Sequence, residues 1–510
     1  MIEFGEEKLG LDGFSSIIFE DNPINISESL KRRVDASFEF LSEFTKNKVI
    51  YGINTGFGPM APYQIEDADR YTLQTNLIRS HASGMGNCLE PIYVRSAMLA
   101  RLNTLALGYS GVHKSVIETL RQLINHHVYP LIYEHGGVGA SGDLVQLAHL
   151  ALVLIGEGEV DYEGKRQSTA VVFNKLNIQP IEIKIREGLA IINGTSIMTG
   201  IGIINSIYAR RLVKWSVAAS SMISELMEVY DDYFSEELNK SKLHKGQQEV
   251  AAMIRKNIAG SKFIRKRDQH LYKDFSQETV IQDKVQEYYS VRCVPQIVGI
   301  ILETVNQCQE LMFEEVNSAN DNPIVDVKNK NVLHGGNFHG DYVSFEMDKL
   351  KIAITKLSML AERQLNFLLN PNLNGVLPPF VNLGRLGLNF GMQGVQFTAT
   401  STTAENQMLS NPMYVHSIPN NNDNQDIVSM GTNAALITKK VIENSYQVVS
   451  IELITILQAV DCLDKFAGLA PASKANYRKL REIIARFDQD YPIYKDLQKV
   501  KDYILNNDPD

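Results

Sequence analysis

Apolar residues recur with helical spacing through three long stretches that contain neither glycine nor proline. These stretches cover residues 203–245, 341–370 and 432–467. In the second of them, Leu350 and Ile354 fall on one face of a helix because they are four residues apart. Helices of this length exceed those of an average globular domain. The pattern therefore predicts a bundle of long helices that pack on one another and on other subunits.

The first 200 residues have a different pattern, in which glycine, proline and asparagine separate shorter apolar segments. An example is Tyr51-Gly52-Ile53-Asn54-Thr55-Gly56-Phe57-Gly58-Pro59. Polar, glycine-rich loops in a helical protein are frequent places for function. We therefore predict a mainly α-helical protein with three parts, which are a loop-rich region over 1–200 that carries the site, a central long-helix bundle over 201–470 and a polar helical tail over 471–510.

Composition narrows the class of protein. The 510 residues are 44% hydrophobic and 21% charged, as in soluble globular proteins. The net charge of −9 argues against nucleic acid and anionic membranes as partners, because both favour a basic surface. Neither a signal peptide nor a membrane span is predicted, and the four dispersed cysteines predict neither disulfides nor a zinc site. These features predict a cytoplasmic protein without a metal.

The segment Gly136-Gly137-Val138-Gly139-Ala140-Ser141-Gly142-Asp143-Leu144 holds the most unusual chemistry in the chain. If the nitrogen of Gly142 attacks the carbonyl carbon of Ala140, and the carbonyl oxygen of Ala140 and the hydroxyl of Ser141 leave as two molecules of water, a five-membered ring with an exocyclic methylene forms. Such a ring is a strong electrophile, which none of the twenty side chains provides. Glycine at position 142 favours the attack because it lacks an obstructing Cβ.

Three other interpretations of this segment compete. The spacing G-x-G-x-x-G over residues 137–142 matches the dinucleotide fingerprint, but the preceding segment is short, is broken by Pro130 and precedes no strand–helix alternation. A nucleophile elbow needs Gly-x-Ser-x-Gly, which this spacing does not provide. A plain glycine turn that caps a helix, with Ser141 or Asp143 at the N-cap, fits these nine residues best on their own.

Six further segments are polar and rich in small residues, and with Ala-Ser-Gly they match one family in order. They are residues 51–58, 76–86, 193–195, 286–292, 335–339 and 420–431. From about Asn25 to about Leu457, the sequence resembles the aromatic amino acid ammonia-lyases, which act on histidine, phenylalanine or tyrosine. The resemblance implies the helical architecture of the fumarase/aspartase-like superfamily and a homotetramer whose active sites are shared between subunits.

The resemblance also implies a cofactor made from the chain itself. Members of the family build the electrophile 4-methylidene-imidazol-5-one (MIO) from the tripeptide that stands here as Ala140-Ser141-Gly142, without metal or nucleotide. MIO binds the substrate amine covalently, whereas a positioned base must remove a β-proton that is barely acidic. The resemblance assigns that base to Tyr51, which taken alone fits an aromatic anchor beside a glycine loop.

Further residues around the substrate are assigned in the same way. Arg292 corresponds to the carboxylate ligand, because a guanidinium binds a carboxylate through two parallel hydrogen bonds. Asn193 and Tyr289 correspond to residues that support the MIO ring and the substrate amine. The remaining substrate-binding residues implied by the resemblance are Leu144, Gln286, Phe338, Glu405 and Gln425. Considered singly, Arg292 also fits a surface ion pair, Phe338 a core residue and Glu405 an exposed helix residue.

Two segments bear on which aromatic amino acid is the substrate. Ser80-His81 stands where phenylalanine lyases carry Phe-Leu, whereas Ser-His is typical of histidine lyases and of some bacterial tyrosine lyases. His81 can hydrogen-bond an imidazole or a phenol, but it would lack a partner beside the bare ring of phenylalanine. Asn424-Gln425-Asp426 is the short form seen in phenylalanine and tyrosine lyases, where histidine lyases typically carry Asn-Gln-Glu-Asp-His.

Two more features favour a tyrosine enzyme. Gln146 replaces the proline that is usual in the family, and the segment GMQGVQF at 391–397 looks most like a subset of bacterial tyrosine ammonia-lyases. We therefore expect a lyase that converts L-tyrosine into trans-4-hydroxycinnamate (p-coumarate) and ammonia. Conversion of histidine into urocanate is the alternative, and an aminomutase that uses the same cofactor and re-adds the amine also remains open.

Overall fold

The fold is that of a computed structural model, described for residues 2–46, 48–272, 280–281 and 284–510. It is mainly helical, which confirms the predicted fold class. The helices are α1 (Leu11–Ile18), α2 (Glu28–Phe44), α3 (Arg70–His81), α4 (Pro91–Ala106), α5 (Lys114–Asn125), α6 (Leu144–Leu154), α7 (Thr169–Leu176), α8 (Glu187–Ile192), α9 (Ser196–Leu226), α10 (Glu236–Lys240), α11 (Lys245–Asn257), α12 (Arg267–His270), α13 (Tyr289–Arg292), α14 (Val294–Val316), α15 (Asp341–Leu369), α16 (Pro371–Asn374), α17 (Gln393–Leu409), α18 (Gly431–Cys462), α19 (Pro471–Ile483) and α20 (Tyr494–Asn506).

Short strands pair into small sheets at the edges of the helical framework. The strands are β1 (Ile2–Phe4), β2 (Ile24–Ile26), β3 (Met85–Cys88), β4 (Tyr129–Pro130), β5 (Tyr133–His135), β6 (Glu159–Tyr162), β7 (Lys165–Ser168), β8 (Ile324–Asp326) and β9 (Asn331–Leu333). The pairing β1–β2 is parallel, with Ile2 opposite Ile24. The pairings β3–β5, β4–β6–β7 and β8–β9 are antiparallel.

Two of the three long glycine- and proline-free stretches form one helix each, α15 and α18. The first stretch does not, because α9 ends at Leu226 and a 3₁₀ turn at Asp231–Phe234 precedes α10. Glu228 adopts a left-handed backbone with φ of 52°, which a continuous α-helix does not allow. Its carboxylate binds Arg265 and Lys465, and these contacts hold the chain in the interrupted form.

The chain divides into two units, each discontinuous in sequence. The first unit is Met1–Asn205, Cys308–Asp348 and Pro412–Thr438, and the second is Ser206–Gln307, Lys349–Asn411 and Lys439–Asp510. All the strands belong to the first unit, and the dividing points include positions inside α9, α14, α15 and α18. The three-part division into 1–200, 201–470 and 471–510 stays a prediction.

Helix α4 forms much of the core of the first unit. It begins with Pro91, a residue suited to the first turn because its missing N–H has no partner there. Every residue from Tyr93 to Ala106 is buried, so the helix is covered on all sides. The neighbouring α5 is buried along one face only, formed by Val116, Ile117, Leu120, Leu123 and Ile124.

The second unit is held by aromatic side chains that reach backbone carbonyls. Trp215 on α9 is fully buried, and its Nε1–H donates to the carbonyl of Asn507 at 2.7 Å. The hydroxyl of Tyr446 on α18 donates to the carbonyl of Tyr208 at 2.8 Å. Along the described ranges, none of the helices combines the length and apolar character that spanning a membrane requires.

Candidate active site

A cavity of about 600 Å³ lies in the first unit beside the Ala-Ser-Gly turn. It is bounded by six separate segments that carry predicted site residues and that the fold brings together. Eight of the predicted residues line it, and they are Tyr51, Ser80, His81, Ser141, Leu144, Asn193, Phe338 and Gln425.

The Ala-Ser-Gly turn is held against Gly194 so closely that position 142 accepts glycine alone. Gly142 adopts φ of 72°, and a Cβ added to it would lie 2.0 Å from the carbonyl oxygen of Gly194. The next residue, Asp143, donates its backbone N–H to that same oxygen at 2.8 Å. Glycine at 142 is therefore required both by the left-handed backbone and by the contact. Ala140 is buried in front of it, 5% exposed.

Two amide side chains bind Ser141 through different atoms. Nε2 of Gln425 donates to the Ser141 hydroxyl oxygen at 3.0 Å. Nδ2 of Asn193 donates to the Ser141 carbonyl oxygen at 3.2 Å. A donor on the hydroxyl oxygen stabilises the negative charge that develops when this group leaves, and a donor on the carbonyl fixes the peptide plane. The residues present therefore fit the precursor of a ring built from this tripeptide.

Asp143 connects the turn to two distant helices. Its Oδ2 accepts the backbone N–H groups of Ile197 and Met198, in the first turn of α9, at 2.9 and 3.0 Å. Its Oδ1 accepts the hydroxyl of Thr432 near the start of α18. Burial raises the pKa of Asp143 to about 6, although these donors favour its ionised form. The side chain therefore caps α9 and not the adjacent α6, the helix for which sequence spacing suggests an N-cap.

Arg101 binds the end of α8 and the residue after it, next to Gly194, which contacts the Ala-Ser-Gly turn. The guanidinium is fully buried on α4 and donates to the carbonyls of Ala190 and Asn193, the latter at 2.9 Å. It also donates to Oδ1 of Asn320 at 3.2 Å. A Cβ on Gly194 would lie 2.4 Å from its Nη1, so no side chain fits between them. Burial lowers the pKa of Arg101 to about 10.

Tyr51 lies in a compact loop that forms one wall of the cavity. The Tyr51 oxygen accepts the backbone N–H of Gly58 at 2.9 Å. Its ring meets the ring of Phe57 edge to face, with centroids 6.2 Å apart. Gly58 adopts φ of 53°, and a Cβ there would lie 2.8 Å from Nδ2 of Asn421 on another wall. The loop is thus closed on itself and packed against the segment that carries Gln425.

His81 faces the cavity at the C-terminal end of α3. Its Nδ1 lies 3.0 Å from the carbonyl oxygen of Leu77 and 3.0 Å from the hydroxyl of Ser80. A carbonyl oxygen only accepts, so Nδ1 carries the hydrogen and Nε2 of the neutral ring is an acceptor. Among the described residues none hydrogen-bonds that Nε2. The ring therefore offers an acceptor for a donor on a substrate.

Four other predicted site residues belong to the second unit. Gln286, Tyr289, Arg292 and Glu405 are not among the described residues that line the cavity. Gln286 and Tyr289 instead line a cavity of about 610 Å³ within the second unit.

Tyr289, Arg292 and Glu405 differ in their exposure and in their contacts within the chain. Tyr289 is 69% exposed, and the guanidinium carbon of Arg292 lies 4.8 Å from the centre of its ring. Nε of Arg292 is buried without a hydrogen-bond partner among the described residues. Glu405 is exposed on α17 and accepts Nδ2 of Asn444 at 2.6 Å. Their roles at the substrate stay predictions.

Several lining residues fall in the predicted segment 420–431 but were not assigned a role at the substrate. Asn421, Asn422 and Asn424 border the cavity beside Gln425. Asn421 and Asn422 adopt left-handed backbones, with φ of 55° and 52°, as does the following Asp423. Asn and Asp tolerate this conformation better than other side chains, so a run of them was the available signal. In the part of the chain that the structure describes, no group of three or more His, Cys, Asp or Glu residues is arranged to hold a metal ion.

Comparison with known proteins gives the family. The aromatic amino acid lyase family matches residues 9–482. The chain is 37% identical to the histidine ammonia-lyase of Shouchella clausii (strain KSM-K16) over 507 residues, which are 99% of this chain and 98% of the relative. It is 38% identical over 478 residues to the MIO-dependent tyrosine 2,3-aminomutase of Streptomyces globisporus, covering 91% of this chain and 87% of the relative.

A solved structure agrees with these matches. The crystal structure of the tyrosine aminomutase from Streptomyces globisporus superposes with a TM-score of 0.94 at 35% identity, and the match covers 98% of this chain and 95% of that one. The turn geometry, the helical framework and a family match over most of the sequence agree. The chain belongs to the aromatic amino acid lyase family, which confirms the resemblance drawn from its motifs.

Proposed function

We propose that the protein eliminates ammonia from L-tyrosine to give trans-4-hydroxycinnamate, with an MIO group made from Ala140-Ser141-Gly142. The observation that carries the proposal is the meeting of this turn, Tyr51 and His81 in one cavity. Elimination from an aromatic amino acid needs an electrophile for the amine, a base for the β-proton and a site for the ring. The cavity holds a candidate for each.

The electrophile would form in a turn that close contacts constrain. MIO supplies an electrophilic methylene that binds the substrate amine and makes it a better leaving group. Gly142 is the nucleophile of ring closure, and its contact with Gly194 limits the conformations that the turn can adopt. Asn193 and Gln425 orient the Ser141 peptide and hydroxyl. A pre-positioned turn lowers the entropic cost of closing the ring.

Tyr51 is suited to remove the β-proton. The N–H that Gly58 donates to its oxygen stabilises the negative charge of a phenolate. The proton moves from Cβ to the Tyr51 oxygen, the released electron pair forms the Cα–Cβ double bond, and the C–N bond breaks. The product is the trans cinnamate, and the amine leaves as ammonia.

His81 is the proposed recognition group for the substrate ring. With Nδ1 bonded to the Leu77 carbonyl, Nε2 accepts the hydroxyl of tyrosine. Phenylalanine offers no donor, so binding it would leave a polar atom without a partner at a cost of about 1–3 kcal/mol. The short Asn424-Gln425-Asp426 segment further favours tyrosine over histidine.

The carboxylate-binding residues are proposed to come from neighbouring copies in a homotetramer. Tyr289 is largely exposed, and the buried Nε of Arg292 has no partner among the described residues of its own chain. The exposure of Tyr289 suits a side chain that completes the site of another copy. In this proposal Arg292 binds the substrate carboxylate, Gln286 lies beside it and Glu405 lies near the substrate.

Histidine is the second candidate substrate. The 37% identity to a histidine ammonia-lyase supports it, and an imidazole N–H can also donate to Nε2 of His81. An aminomutase is the third candidate, supported by the relative from Streptomyces globisporus. It would use the same groups and return the amine to the β-carbon.

The three candidates are separated by their products. Purified protein is incubated with L-tyrosine, L-histidine and L-phenylalanine in separate reactions, and the ultraviolet spectrum is followed. We expect 4-hydroxycinnamate from tyrosine, which absorbs at longer wavelength than urocanate because its conjugated system is larger. Chromatography of the tyrosine reaction detects β-tyrosine.

Each remaining outcome has a defined meaning. Faster formation of urocanate than of 4-hydroxycinnamate would make histidine the substrate. A dominant β-tyrosine product would make the protein an aminomutase. No product from any of the three amino acids would refute an aromatic amino acid lyase activity.

A further inference from the structure

We propose that Gln74 is a positioning residue, which fixes where the Tyr51 base stands relative to the rest of the site. This inference rests on the proposed function, because it takes Tyr51 as the base. Gln74 lies on α3 and is fully buried. It is not among the described residues that line the cavity, so it acts through its neighbours.

The amide of Gln74 joins two segments that carry site residues. Its Nε2 donates to the carbonyl oxygen of Gly52, the residue after Tyr51, at 2.8 Å. Its Oε1 accepts the backbone N–H of Leu189 on α8 at 2.9 Å. Helix α8 ends at Ile192, directly before Asn193. One side chain therefore ties the loop of the base to the helix that leads to the residue beside Ser141.

The packing around this amide leaves little room for movement. Gly52 adopts φ of 71°, and a Cβ there would lie 2.5 Å from Cδ2 of Leu189. A Cβ on Gly188 would lie 2.8 Å from Oε1 of Gln74. The loop that carries Tyr51 thus contacts α8 and α3 through Gly52, Gly188 and the Gln74 amide. A displacement of one of these three segments therefore displaces the other two.

Helix α3 also carries the proposed ring-recognition pair. Ser80 and His81 lie at its C-terminal end, about two turns and about 10 Å along the axis from Gln74. The same rigid element therefore sets both the position of the substrate ring and, through Gln74, the position of the base. Proton abstraction requires the Tyr51 oxygen to meet Cβ within a few tenths of an ångström, and an error of 1 Å costs about 100-fold in rate.

The competing explanation is a glutamine that stabilises the fold and nothing more. A purely structural role would lower the folded fraction, the amount of electrophile and the rate together. A positioning role lowers kcat while KM and the electrophile are unchanged. It also makes proton removal slower relative to the other steps, so the isotope effect with β-deuterated tyrosine increases.

The test uses two substitutions and one matched control. Gln74→Met keeps the length of the side chain and removes both hydrogen bonds. Gln74→Glu keeps the acceptor for the Leu189 N–H and loses the donor to Gly52. The control is Gln458→Met in the second unit, since Gln458 is also buried, donates to the carbonyl of Phe487 at 2.7 Å and accepts from Arg481 at 2.9 Å.

For each full-length protein we measure kcat, KM for tyrosine, the isotope effect, thermal unfolding and the electrophile, the last by trapping with borohydride. We expect Gln74→Met to lose about 10- to 100-fold in kcat, with KM within about twofold and the trapped electrophile unchanged. Gln74→Glu loses kcat as well, because the Gly52 carbonyl is released. Gln458→Met keeps the kcat of the unsubstituted protein.

The other outcomes overturn the inference. It fails if both Gln74 variants fold and keep kcat within about twofold, the level expected without a positional effect. A parallel fall of kcat and electrophile, or failure of both variants to fold, would make Gln74 a structural residue. An unsubstituted protein inactive on tyrosine, histidine and phenylalanine would instead refute the proposed function and this inference with it.

Discussion

Asp143 and Glu452 are both fully buried carboxyl groups, but they stand in very different surroundings. Asp143, in the first unit, accepts two backbone N–H groups and one hydroxyl. Glu452, in the half of α18 that belongs to the second unit, has no hydrogen-bond partner for either oxygen among the described residues. Burial raises the pKa of Asp143 to about 6 and raises that of Glu452 well above the ordinary glutamate range.

The comparison distinguishes a buried acid that positions neighbouring segments through hydrogen bonds, Asp143, from one that accepts no hydrogen bond from the described residues, Glu452. Three donors converge on Asp143 from two helices, so its carboxyl fixes where the Ala-Ser-Gly turn stands. None of the described residues donates a hydrogen bond to Glu452, and its neutral acid form avoids the cost of burying a charge. We therefore expect changes near Asp143 to affect chemistry and folding together, and changes at Glu452 to affect stability alone.

The largest effect is expected from Ser141→Ala, because it removes the hydroxyl whose loss makes the electrophile. Activity should fall by more than about 10³-fold, which corresponds to about 4 kcal/mol in the barrier. The measurement is the rate of product formation together with borohydride trapping. Thermal unfolding serves as the control and should not change. Activity near that of the unsubstituted protein would exclude this tripeptide as the source of the electrophile.

Asp143→Ala is expected to have the next largest effect. Three donors lose their acceptor at about 1 kcal/mol each, so the free energy of unfolding should fall by about 3 kcal/mol. Trapped electrophile should fall as well, because the turn is released from α9. Asp143→Asn, which keeps one acceptor oxygen, should be intermediate in chemical denaturation. If the unsubstituted protein, Asp143→Ala and Asp143→Asn were equally stable, the hydrogen bonds of Asp143 would not distinguish it from Glu452.

His81→Phe tests whether His81, in the first unit, determines the preference for tyrosine over phenylalanine. Removing the acceptor for a phenol should lower kcat/KM for tyrosine relative to phenylalanine by about 10- to 100-fold. The measurement is kcat/KM for both amino acids with each protein. Folding should be unaffected, since His81 is only partly buried at the end of α3. An unchanged ratio would show that another group recognises the ring.

The smallest effect is expected at Glu452. Its folded-state pKa lies above the unfolded value of 4.5, so above pH 4.5 the folded protein holds a proton that the unfolded chain releases. Stability from this group therefore falls with rising pH, by at most about 1.4 kcal/mol per pH unit. Glu452→Met should flatten that slope and raise stability at pH 8 by about 1 kcal/mol.

Glu225 provides the matched control for Glu452. It is equally buried in the second unit, but its carboxylate accepts the Ala470 N–H at 2.6 Å and the Ser473 hydroxyl. Glu225→Met should destabilise the protein by about 1–3 kcal/mol, because two donors lose their acceptor. If both substitutions shifted the unfolding midpoint in the same direction, hydrogen bonding would not explain the difference between the two buried acids.

Much of the helical framework could be predicted from spacing alone. The stretch 341–370 became α15 within one residue, and 432–467 became α18. Prediction failed over 203–245, where the chain turns at Glu228. The cause is a left-handed backbone held by ion pairs with Arg265 and Lys465, which are distant in sequence. Local periodicity contains no information about such contacts.

The residues that line the site were also largely predictable, whereas the residues that support them were not. Eight predicted residues line one cavity, and the resemblance of motifs was the guide to them. The supporting residues Gln74, Arg101 and Asp143 were not identified in these roles. Many of their partners are backbone atoms of segments that are 54 to 115 residues away, and any residue type supplies a backbone N–H or carbonyl. A sequence pattern therefore does not reveal them.

By itself, the sequence determined what is covalent or periodic in this protein. It contains an Ala-Ser-Gly tripeptide whose own atoms can close into a ring, and apolar spacing that makes long helices. Only the packing shows which buried acid accepts hydrogen bonds from the described residues. It also shows that Asp143 caps α9 and that Gln74 ties the loop of Tyr51 to α8. The reason is physical, since hydrogen bonds and burial depend on where distant segments meet, and that follows from the packing of the whole chain.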